Sequence, residues 1–143
     1  MSLPDSSSFR TRPFFQGVMA IMPLSIAVIP WGILAGSMAV NAGLSFAKAF
    51  AMSSLVFAGA AQLVSLSLVM EGASTLTILI TIFFLTSQHF IYALTFRNNI
   101  SVLPVKQRLS LGFLLTDELF AVSLSPEKRH PDYMLGAGLC FYL

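Results

Sequence analysis

Three long stretches without a formal charge dominate this chain: residues 13–47, 49–70 and 72–96 are separated by nothing more than Lys48 and Glu71. Each supplies the roughly 20 apolar residues that cross the hydrocarbon core of a bilayer. The composition agrees, since 56% of the 143 residues are hydrophobic and 10% charged, against about 25% charged in ordinary soluble domains. A soluble globule is excluded on these grounds. The expected fold is an all-α integral membrane protein, a polytopic helical bundle in a lipid bilayer, with a single transmembrane domain over residues 1–143. Its hydrophobic segments lie at about 16–40, 46–70, 74–96, 109–124 (short, amphipathic or re-entrant) and 133–143.

The net charge of +2 comes from five Arg and three Lys placed mostly at segment ends. There they act as orientation signals and not as a nucleic-acid surface. Arg10 and Arg12 precede the first run and favour a cytoplasmic N-terminus. Met1 to Phe9 is polar without Lys or Arg, so no cleaved signal is expected. Cys140 is the sole cysteine, which excludes an intrachain disulfide and reads as packing. No cofactor or metal is expected. Tyr133 to Leu143 provides about half a span and then stops, so the chain is expected to be cut inside a helix.

In the first run, Pro23 and Pro30 each lack an N–H and crowd the carbonyl four residues earlier, which frees the carbonyls of Met19 and Ile26 and should kink or break the helix. Transporters use such broken helices to hold substrates near the bilayer midplane, which makes Pro30-Trp31-Gly32 a binding candidate. The competing reading is a proline kink packed on its neighbours, with Gly32 and Gly36 at the small-xxx-small spacing of close helix contacts. Asn41-Ala42-Gly43 makes a turn, and Glu71-Gly72 ends the second run.

In that second run, Ser54, Ala58, Ala61, Gln62 and Ser65 fall on one face of a continuous helix. The third run sets Thr77, Thr81, Gln88, Tyr92 and Thr95 in a polar stripe with His89 beside it, a face that lipid disfavours. His89 is its one group able to change charge near neutral pH, and proton coupling competes there with a neutral imidazole hydrogen-bonded to a neighbouring helix. Arg97, Lys106 and Arg108 flank Pro104, which can open a helix where its missing donor costs nothing, and a basic loop is expected there. In residues 109–124 an acid at the bilayer centre would cost about 2.5 to 3.5 kcal/mol, which marks Asp117 as a functional candidate. The alternative is an interfacial bend, with Thr116 or Asp117 capping a short helix and Asp117 and Glu118 near its positive end.

Orientation adds a constraint. If the N-terminus is inside and the first three runs all cross, Arg97, Lys106 and Arg108 fall outside, against the positive-inside tendency. If residues 45–70 instead enter and return on one side, bending near Gly59, every basic residue except Lys48 is cytoplasmic. Gln62 and the backbone freed near Gly59 would then line a substrate cavity together with the Pro30 kink. If the run crosses unbroken, Gln62 is interhelical glue.

Three patches taken together resemble the AzlC family of bacterial branched-chain amino acid exporters: Phe57-Ala58-Gly59-Ala60-Ala61-Gln62; His89-Phe90-Ile91-Tyr92 followed by Arg97; and Leu115-Thr116-Asp117-Glu118-Leu119-Phe120. The kinked opening from Gly17 through Pro23 to Gly32 and Gly36 extends the resemblance over nearly the whole chain. It implies a large inner-membrane subunit, longer than this chain, that works with a small AzlD-type membrane partner. The expected cargo is leucine, isoleucine, valine, methionine and toxic analogues. The chain departs from the family pattern at Gln88, where relatives carry arginine before the histidine, and at Thr86.

The leading expectation is therefore a permease subunit, not an enzyme, exporting branched-chain amino acids under the proton gradient. A noncatalytic scaffold or assembly subunit is the alternative. An intramembrane enzyme built on His89 and Asp117 is a third reading, although HExxH and GxSxG are absent.

Overall fold

The computed structural model describes the backbone from Ser6 and the side chains from Arg12 to Leu143; the polar stretch Met1 to Phe9 and Arg10, on which the signal and orientation readings partly rest, lie outside the described side chains. The protein is an all-α membrane protein. Among the described residues it forms nine α-helices: α1 (Ser6–Ala27), α2 (Ile29–Asn41), α3 (Phe46–Leu55), α4 (Gly59–Met70), α5 (Thr75–Thr86), α6 (Gln88–Ile100), α7 (Val105–Phe113), α8 (Asp117–Val122) and α9 (Pro131–Tyr142). The run Thr75–Ile100, 26 residues with a turn at Ser87, is long and apolar enough to cross a membrane. At 1.5 Å per residue it reaches about 39 Å, beyond the roughly 30 Å hydrocarbon core. The helices flanking Val28 pass the same test together, as a broken span or a re-entrant loop.

The chain divides into two compact units, one formed by the chain up to Ala27 with Ile91–Leu143, the other by Val28–Phe90. In the first unit α1 packs along α9, and two glycines set how closely. A side chain added at Gly17 would run into the Tyr133 carbonyl, and one at Gly136 into the Phe14 carbonyl. Backbone therefore lies directly on backbone, the approach that small residues permit in lipid. Around this crossing the unit buries Ile21, Phe96, Leu111, Leu119 and Met134. Gly138 sits against Leu114.

In the second unit α4 packs on α2 and α5, and the residues buried there are Ala39, Ala61, Gln62 and Leu66. Its turns follow from glycine chemistry. Gly43 and Gly72 take positive φ values of 78° and 72°. Each closes a helix with paired bonds, Gly43 N–H to Val40 and Leu44 N–H to Ala39, then Gly72 N–H to Val69 and Ala73 N–H to Leu68. A left-handed residue just past the helix end is what this cap requires. Ser74 then opens α5 by accepting from the Thr77 N–H at 3.2 Å.

Several expectations need correction. Pro23 does not interrupt its helix, which continues to Ala27; the break falls at Val28, just ahead of Pro30, which sits in the first turn of α2 where its missing donor costs nothing. Gly32 and Gly36 are no close contact: an added Cβ meets no atom within 4 Å at either, among the described residues. The single polar face over residues 54–65 does not form, because the helix stops at Leu55 and restarts at Gly59. Residues 109–124 contribute to two helices, α7 and α8, separated by the buried Leu114, Leu115 and Thr116.

Candidate functional site

Two places concentrate polar groups inside apolar sequence, one in each unit. In the second unit, residues 56–58 interrupt the uncharged run that begins at Ala49. Val56 still donates its N–H to the Met52 carbonyl at 2.9 Å, but its backbone has left the helical region at φ −99°, ψ 82°. Ala58 is extended at φ −147°, ψ 92°. The first helical bond of α4 runs from the Gln62 N–H to the Ala58 carbonyl at 3.0 Å. The N–H groups of Gly59, Ala60 and Ala61 precede it, so they have no intrahelical acceptor.

Gln62 holds this break together. It is buried, and its Nε2 donates to the Val56 carbonyl, an acceptor the broken helix would otherwise leave unsatisfied. One turn on, Ser65 Oγ donates to the Ala61 carbonyl at 2.7 Å. The arrangement sets the carbonyl end of α3 and the N–H end of α4 at the same point of the chain. These are the partially negative and partially positive ends of two helix dipoles, and such a pair complements a zwitterion at close range. Pro30, Trp31 and Gly32 are exposed at the start of α2, whose buried residue is Ala39 near its other end.

At the other end of this unit, His89 Nδ1 lies 3.0 Å from the Thr86 carbonyl, a local bond across the Ser87 turn. Gln88 beside it is half-buried. Tyr92, expected on the same stripe, belongs to the first unit.

There Tyr92 is hydrogen-bonded to Asp117, with Glu118 close enough to act on it electrostatically. Thr116 begins α8 by accepting from the Leu119 N–H at 3.3 Å, so the capped-bend geometry is what forms around the acid pair. The Tyr92 ring stacks on Phe120 at 4.1 Å and 20°, and Phe96 lies 5.4 Å from Phe120. The Arg129 guanidinium sits 5.6 Å above the Phe96 ring and donates to the Leu124 carbonyl at 2.8 Å. Ser123 is fully buried, and its Oγ and the Arg129 Nε have no hydrogen-bond partner among the described residues.

Sequence reasoning found Tyr92, Asp117 and Glu118 as candidates and Phe120 within a family patch, but missed Phe96, Ser123 and Arg129. The signal for Phe96 was present, since it follows Tyr92 by four residues and shares its helix face. Arg129 had none, because its contact with Phe96 joins residues far apart in sequence. No group of three or more His, Cys, Asp or Glu able to hold a metal occurs among the described residues.

Residues 23–143 match the family described as "AzlC protein". The chain belongs to the AzlC family. An "Uncharacterized membrane protein" of Archaeoglobus fulgidus is 32% identical over 99% of this chain and 59% of its own length. The "Inner membrane protein YgaZ" of Escherichia coli K12 is 29% identical over 82% of this chain and 48% of its own length. The chain thus spans about half to three-fifths of the curated relatives it matches. No solved structure matches it. In this AzlC-family chain the broken segment, the His89 turn and the Tyr92–Asp117 pair all fall inside the matched residues.

Proposed function

We propose that this chain is part of an inner-membrane permease that exports branched-chain amino acids, with methionine or toxic analogues as further cargo, driven by the proton gradient and assembled with a small AzlD-type membrane partner. The observation that carries the reading is the interruption at residues 56–58, where an uncharged segment opens its backbone and buries Gln62 beside the break. In lipid, irregular backbone is tolerated only where it is enclosed by protein or lines a watery cavity. Opposed helix ends at that point suit the carboxylate and ammonium of an amino acid, and the leucines and valines around them suit an aliphatic side chain. The Tyr92–Asp117 pair and His89 are the candidate groups for proton movement. A multi-pass topology with a cytoplasmic N-terminus follows from the placement of the basic residues.

Export is tested in bacterial cells expressing the gene that encodes this chain together with the small partner, preloaded with labelled leucine. Faster leucine efflux and resistance to a toxic leucine analogue are the expected result; unchanged efflux overturns the substrate assignment. Labelling of an Asn99→Cys variant with a membrane-impermeant reagent tests topology. Reaction from the outside overturns a re-entrant path for residues 45–70.

A further inference from the structure

Helix α7 has two apolar faces: one carries the buried Leu111, while on the other Val105 and Leu109 are exposed and Phe113, at the helix end, meets the Tyr142 ring edge-on at 5.5 Å. Leu111 is 1% exposed, in a helix that packs against α9. With Val105 at 0°, Leu109 lies at about 40° and Phe113 at about 80°, while Leu111 lies near 240°. The stripe Val105, Leu109 and Phe113 thus points away from Leu111. Val105 and Leu109 are 65% and 69% exposed, and Val102 just before the helix is 80% exposed. Lys106, at about 100°, and Arg108, at about 300°, border this stripe on both sides. Both are exposed, and so is Arg97 at the end of α6. Between Glu71 and Asp117 every formally charged residue is basic.

We infer that α7 is an interfacial anchor that seats Val105 and Leu109 at the acyl-chain border of the bilayer and binds anionic phospholipid headgroups through Lys106 and Arg108. A short helix with an apolar stripe between cations lies in the membrane plane, its apolar side dipping below the headgroups. Lys and Arg on either side can extend their stems along that apolar surface while their charged heads reach the phosphates. The charge decides the occupant. Against a second copy of the same face, Lys106 and Arg108 would meet like charges, whereas an acidic lipid surface attracts each of them. The anchor does not rest on the transport reading.

The test uses the full chain in lipid vesicles, with Trp31→Phe removing the sole native indole and Leu109→Trp placing one on the stripe. Quenching by brominated phosphatidylglycerol is expected to be about twofold or more that by brominated phosphatidylcholine at equal mole fraction, since each basic side chain at an anionic surface favours the acidic lipid several-fold. Adding K106Q and R108Q should remove that preference while quenching by lipid persists. Three results overturn the proposal: equal quenching by the two lipids, a preference that survives K106Q/R108Q, or an indole shielded from lipid and either open to aqueous iodide or covered by protein. Val105→Trp, on the same stripe, provides an independent readout if L109W fails to fold.

Discussion

The α1–α9 crossing and the α3–α4 break are both built on small residues, yet they use them in opposite ways. At the crossing, Gly17 and Gly136 let two intact helices approach until backbone touches backbone, and large side chains fill the space around them. At the break, Gly59 is in open space, where an added Cβ would meet no atom within 4 Å among the described residues, and the segment is held by the buried Gln62 amide bonded to the Val56 carbonyl. The first is a packing solution, in which both helices run unbroken through the contact. The second gives up helical bonds at residues 56–58 and leaves polar backbone inside an apolar run. A chain in lipid has reason to keep the first for stability and the second for use.

The sharpest way to break this comparison is to fill the crossing. Gly17→Leu or Gly136→Leu drives a side chain into a carbonyl of the facing helix, and should cost about 3 kcal/mol or more and prevent a folded chain from accumulating. Melting in detergent measures it; an unchanged midpoint would show that the crossing is not close-packed. At the break the expected effect falls on function. Gln62→Leu removes a buried hydrogen bond of about 1 to 3 kcal/mol and, on the proposed permease function, should lower leucine export about tenfold, with a smaller loss of stability than G17L. Equal losses of melting temperature and partner assembly in both variants would instead make Gln62 a scaffold residue.

Smaller effects refine the picture. Thr116→Val removes the cap that starts α8 beside Asp117 and should destabilise the first unit by about 1 kcal/mol. A melting curve reads the loss, and the Tyr92–Asp117 contact should loosen with it. Gly32→Ala and Gly36→Ala should leave stability within about 1 kcal/mol of the parent, in the favourable direction, because helix interiors prefer alanine and nothing stands in its way. A large loss in either would reveal a contact made by another chain at that face.

Much of this contrast is legible in the residues themselves. Pro30 marks a break because its ring cannot donate, Gly43 and Gly72 mark turns because they accept positive φ, and the charge pattern asks for a bend near Gly59, beside the interruption at 56–58. The sequence misplaces Pro23, which α1 accommodates without stopping, and overrates Gly32 and Gly36, because small-residue spacing permits close approach without supplying a partner. It is silent on Gly136, whose importance depends on where the Phe14 carbonyl arrives.

The sequence alone determined that the chain is helical and membrane-bound, where its apolar runs start and stop, and which polar residues are costly in lipid. Those properties depend on composition and on spacing within one segment. The tertiary structure decided which glycines become a crossing, that Gln62 bonds back to Val56 and so braces the break, and that Arg129 comes over Phe96 while Tyr92 meets Asp117. The Gln62 bond forms only because the helix breaks, and the others join residues distant in the chain; no local periodicity encodes any of them.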